Sequence, residues 1–83
     1  MILRQKIQVV DDEPDFVDGI RKSLERTGYE VVTAARGKEA WDIVQSDDDL
    51  ALVLLDVNLP DEDGFSICRR IRMDLHRCGL PVI

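Results

Sequence analysis

Cysteine is scarce in this chain, and the two residues present, Cys68 and Cys78, show no metal-ligand spacing. That excludes a disulfide framework and a cysteine-based zinc cluster, and with no secretory signal it favours a reduced, cytoplasmic protein. Positive charge is also in deficit: 11 Lys and Arg stand against 17 Asp and Glu, a net charge of −6. Direct binding to nucleic acid or to an anionic membrane surface calls for basic patches, so neither is expected. No apolar run approaches the roughly 18 residues needed to cross a bilayer. The single histidine, His76, has no ligand or catalytic partner near it in sequence and reads as a solvated residue.

Within those exclusions the composition is ordinary for a folded domain, because 45% hydrophobic residues beside 34% charged ones rules out a disordered chain. With 83 residues it forms one domain at most, with a small core. The chain is organised around the stretch from Ala51 to Gly64. Ala51 to Leu55 is continuously apolar, as in a parallel strand buried on both faces, and Asp56 ends it abruptly. Lys6 to Val10 is a second β-branched run that stops at Asp11-Asp12-Glu13-Pro14, where proline suits the first turn of a helix. Phe16, Val17, Ile20 and Leu24 then fall on one helical stripe, and Gly28 supplies a left-handed stop. Tyr29 to Ala34 predicts a strand, and Gly37 to Gln45 a helix with Ala40, Ile43 and Val44 inward and Trp41 at the edge of the stripe. A third helix bears Phe65, Ile67, Cys68, Ile71 and Met73, and Gly79 to Ile83 opens a fourth strand.

Alternating strands and helices predict an α/β fold, a doubly wound parallel sheet with right-handed crossovers. Ligands of such sheets bind beyond the carboxyl ends of the strands. With the first strand central, Asp11 and Asp12 lie beside Asp56, and three carboxylates share one crevice. Two unit charges about 4 Å apart repel by about 4 kcal/mol at an effective dielectric of about 20. A hard divalent cation resolves this, since Mg²⁺ takes carboxylates, a backbone carbonyl, waters and phosphate oxygens. The crevice therefore reads as an acidic Mg²⁺ cup containing a candidate carboxylate nucleophile toward phosphorus.

Val9-Val10-Asp11-Asp12-Glu13-Pro14, Asp56-Val57-Asn58-Leu59-Pro60 with Gly64, and Phe65 to Arg72 together closely resemble the receiver domain of two-component response regulators. The resemblance implies the flavodoxin-like receiver topology, strand order 2-1-3-4. It implies that Asp56 is the phosphoacceptor, supplied by a sensor histidine kinase or phosphotransfer protein. Asp12 matches the direct Mg²⁺ ligand, Asp11 the one acting through a metal-bound water, and the Asn58 backbone carbonyl the third protein ligand. Family members also carry a Ser or Thr ending the fourth strand and a Lys ending the fifth. Neither falls within residues 1–83, so the expectation is a partial receiver domain, truncated in or just after its fourth strand, without the last strand and two helices. Lys6 and Lys38 do not stand at the carboxyl end of a strand and do not replace that lysine. An exposed fourth-strand edge at Leu80, Val82 and Ile83 predicts self-association.

Blander readings attach to other charged residues. Asp12 and Glu13 suit a helix N-terminus, but capping alone leaves Asp56 unexplained. Asp47 to Asp49 reads as a solvated turn, Asp61, Glu62 and Asp63 as decoration of an exposed loop, and Arg69, Arg70 and Arg72 as a solvated helix face. Cys68 reads as a small core residue. Two alternatives to a non-enzymatic receiver are carried: a Mg²⁺-dependent phosphohydrolase with an aspartyl nucleophile, and a non-catalytic dimerising module. Asp11-Asp12-Glu13 lacks the two-apart aspartate pair usual in the former.

Overall fold

A computed structural model describes residues 4–83. Its elements alternate as expected: β1 (Lys6–Val10), α1 (Pro14–Arg26), β2 (Glu30–Ala34), α2 (Gly37–Ser46), β3 (Leu50–Leu55) and α3 (Gly64–Met73). The sheet is parallel in the order β2-β1-β3, with Val9 opposite Thr33 on one side and Leu54 on the other. Residues 81–83 lie along the outer side of β3. There the Val53 and Leu55 amides donate to the carbonyls of Pro81 and Ile83, and the Ile83 amide donates to Val53. The expected fourth strand is thus in its place as a single bridge, Val53 to Val82, and Pro81 has no amide with which to carry the pairing back toward Leu80.

Side chains alternate across the pleat, so β1 faces two different layers. Val10 joins Ala34, Ala40, Val44, Val53, Ile67 and Ile71 in the buried core beneath α2 and α3. Gln8 points the same way, wholly buried, with its carboxamide donating a long 3.4 Å bond to the Ala40 carbonyl. Ile7 and Val9, also buried, face the α1 side.

The apolar stripe of α1 is only partly covered. Val17, Ile20 and Leu24 are half-buried and Phe16 is 54% exposed, so no residue of this helix is fully buried. Among the described residues α1 is the sole helix on that face. For the same reason β3 is not buried throughout: Leu50 and Val53 are enclosed, while Leu52 and Leu54 are only half covered. Gly28 ends α1 at φ 100°, the left-handed geometry that a side chain would resist.

Candidate functional site

The site is assembled from the ends of two hydrogen-bonded strands. The Asp11 amide donates to the Ala34 carbonyl and the Asp56 amide to the Val10 carbonyl, so both residues continue the sheet's ladders one step past its carboxyl edge. Asp12 is turned into the same space by the bend toward α1, where Asp11 Oδ1 accepts the Glu13 amide at 2.9 Å. Glu13 stands at the N-cap of α1 without a side-chain cap bond, so helix capping does not account for this acidic run.

Carboxylate oxygens of Asp11, Asp12 and Asp56 all lie within 4.8 Å of one another. Asp11 and Asp56 are half-buried and Asp12 is exposed. Among the described residues no Lys or Arg forms an ion pair with any of the three. Three hard oxygen donors in one place suit a Mg²⁺-sized ion, which takes carboxylate oxygens and keeps several waters. On its α1 side the cluster opens into a cleft of about 260 Å³ lined by Val9, Phe16, Ile20, Leu54 and Ile83 as well as Asp11 and Asp56.

Beyond Asp56 the chain makes a tight return. Asn58, exposed, is bridged to Asp63, and the Gly64 amide donates to the Val57 carbonyl at 2.7 Å. A side chain at Gly64 would overlap the Asp56 carbonyl oxygen, so glycine alone lets α3 start directly against the strand end. Leu59, half-buried, anchors the return on the core.

Several residues read as bland have specific partners. Asp63 caps α3, accepting the Ser66 amide at 2.8 Å. Asp61 accepts the amides of Gly37 and Lys38 at 2.8 and 3.0 Å, and these donors hold its carboxyl below the usual carboxylate range. Glu62 pairs with Arg70 at 2.7 Å, and the Arg70 guanidinium lies over the Trp41 ring, 5.6 Å from its centre. Arg72 donates to the carbonyls of Cys78 and Leu80. At the opposite end of the sheet Lys6 binds Asp47 at 2.8 Å and Glu30 at 3.2 Å, so Asp47 is half-buried rather than solvated, and Lys6 is remote from the site. His76 is exposed, as expected, and Cys68 is half-buried. One sequence signal did exist for Asp61: α2 begins after Arg36, which cannot cap, so its first amides had to find an acceptor elsewhere.

A parallel α/β sheet whose carboxyl edge carries three converging carboxylates, where the chain winds off in opposite directions, defines a doubly wound domain with an acidic crevice at the position where such folds bind ligands. The chain belongs to the response regulator receiver domain family of two-component systems, whose family model matches residues 7–83. It is 41% identical over 70 residues to the alkaline phosphatase synthesis transcriptional regulatory protein PhoP of Bacillus subtilis, covering 84% of this chain and 29% of PhoP. Among solved structures, the N-terminal domain of a response regulator receiver protein from Methanoculleus marisnigri superposes with a TM-score of 0.87 at 38% identity, covering 93% of this chain and 62% of that one. The receiver domain of sensor histidine kinase PA1611 from Pseudomonas aeruginosa, with a magnesium ion coordinated in its active site cleft, gives 0.90 at 30%, covering 96% and 65%. The chain thus spans under a third of that curated relative and about two thirds or less of these solved domains.

Proposed function

We propose that this chain is a phosphoacceptor, taking a phosphoryl group onto Asp56 from a sensor histidine kinase or a phosphotransfer protein in the cytoplasm, with Mg²⁺ held by Asp11, Asp12, Asp56 and the backbone carbonyl of Asn58. The observation that carries this reading is the convergence of three carboxylates, none of them ion-paired among the described residues, at the carboxyl edge of the sheet in a member of the receiver family. An Asp56 carboxylate oxygen attacks phosphorus, the bond from phosphorus to the donor's imidazole nitrogen breaks, and the imidazole leaves with the electron pair. Asp11 and Asp12 supply negative charge that positions the cation, and the Gly64 contact fixes the strand end from which Asp56 projects. When bound, the metal neutralises charge on the transferring group. Receiver domains are generally signalling modules rather than enzymes, and the reading follows that. Self-association through the strand edge at residues 81–83 belongs to the same reading.

Intact mass after incubation with acetyl phosphate and MgCl₂ tests the proposal beside Asp56→Asn. One phosphoryl group on the parent and none on the variant is expected. A folded parent that gains no adduct, or a variant that gains the same one, refutes it.

A further inference from the structure

The turn between β3 and α3 is tied to the rest of the domain by side chains that take no part in the acidic cluster. Its base is closed by backbone: Asn58 bridges Asp63, and Gly64 seats on the Asp56 carbonyl. Its tip is closed by Asp61 and Glu62. The residue at the N-cap of α2, Arg36, makes no side-chain bond, and the first two amides of that helix are taken instead by the two oxygens of Asp61, 24 and 23 positions away in the chain. Carboxylates are favoured at helix N-termini by both the free amides and the dipole, so this contact is strong for an exposed group. Gly37 makes the approach possible: a Cβ there would fall 2.6 Å from Glu62 Cγ and from Ile67 Cδ1. Glu62 then adds the ion pair to Arg70, itself laid on Trp41 of α2, so a single turn is fastened to two helices.

Two residues separate Asp61 from Asn58. With about 3.3–3.6 Å of reach per residue, an anchored Asp61 keeps Asn58 within about 10 Å of the α2 N-terminus, and the bridge from Asn58 to Asp63 narrows its freedom further. We infer that Asp61, by capping α2 across the fold, is a positioning residue for the divalent-cation site, holding the β3–α3 turn so that the Asn58 carbonyl stays in register with Asp56. This rests on the metal reading above. It assigns a role in cation affinity to a residue that touches no cation, as outer groups orient inner ligands in other metal sites.

The test is a MgCl₂ titration of the 83-residue chain followed through the amide resonances of Asp11 and Asp56, with folding confirmed by circular dichroism. Asp61→Ala loses both acceptor oxygens and is expected to bind Mg²⁺ about tenfold more weakly than the parent. Asp61→Asn keeps one acceptor and is expected to recover part of that, about threefold weaker than the parent. A role confined to stability would lower the melting temperature of both variants and leave the affinity of the folded protein where it was. Folded Asp61→Ala within about twofold of the parent overturns the inference. If that variant does not fold, Asp61→Asn decides, and parental affinity there overturns it. A parent that shows no Mg²⁺-dependent shift refutes the metal reading and this inference together, a result distinct from either variant outcome.

Discussion

Replacing Asp56 with asparagine removes one of three carboxylates and leaves the shape of the site intact, so its effect on stability without metal isolates electrostatics. The oxygens lie within 4.8 Å of one another. At that limit two unit charges repel by about 1 kcal/mol in bulk water and about 3.5 kcal/mol at a dielectric of about 20. Asp12 is exposed and the others half-buried, so solvent screening puts the relief at the lower end, about 1–2 kcal/mol. In a domain of this size each kcal/mol moves the midpoint of thermal unfolding by about 4–8 °C. Asp56→Asn is therefore expected to melt above the parent in EDTA, read by circular dichroism, with the gap closing in about 1 M NaCl as the Debye length falls to about 3 Å. Added Mg²⁺ should reverse the order. A site occupied at 100 times its Kd gains the parent about 2.7 kcal/mol, and the variant, short of one ligand, gains less. A variant that melts below the parent in EDTA would refute the argument that these charges repel uncompensated.

Three further outcomes follow from particular contacts. Lys6 holds the Asp47 carboxyl below its ordinary value. A depressed carboxyl contributes stability above its unfolded pKa of about 4 and loses it as pH falls through the folded value, so Lys6→Met should flatten the fall of the urea midpoint below about pH 4. An unchanged acid limb would show that the pair contributes nothing. Gly64→Ala forces a methyl onto the Asp56 carbonyl oxygen, where only backbone can yield. It should cost about 1–3 kcal/mol in urea unfolding and lower phosphorylation of the fraction that remains folded, and a parental midpoint would refute the close approach. Light scattering across a wide concentration range should show the 83-residue chain associating through the edge at residues 81–83, and a uniform monomer would exclude that.

The fold was legible because its signals are local: β-branched runs, the stripes of α2 and α3, Gly28 and Pro14 each act within a few residues. The three aspartates were legible because strand ends and strand order together place them. What sequence did not reveal is long-range pairing by side chains whose composition looks solvated. Asp61 and Glu62 sit in an acidic turn that reads as surface, and beyond the uncapped start of α2 nothing in Gly37, Lys38 or Arg70 marks them as partners. Arg69, Arg70 and Arg72 likewise share a composition but not a fate, since Arg70 and Arg72 each find acceptors near α3. The thin cover on α1 was invisible for the opposite reason. A stripe states which face of a helix is apolar, not how much of it meets a partner.

The two halves of the site are fastened by different kinds of bond, and this sets how each exchanges with solvent. The Asp11 and Asp56 amides are rungs of the central ladders, donating to Ala34 and Val10 beside a strand that is paired on both sides. Such rungs, set at the ends of paired strands, exchange hydrogen for deuterium only when the edge of the sheet opens. The tip of the β3–α3 turn hangs instead on Asp61 and Glu62 and is released when those side chains let go, a far smaller excursion. Hydrogen exchange should therefore split the site in two, with the Asp56 amide exchanging more slowly than those of Gly37 and Lys38. The carboxylate end is a fixed wall, and the turn is the part able to adjust to what is placed against it.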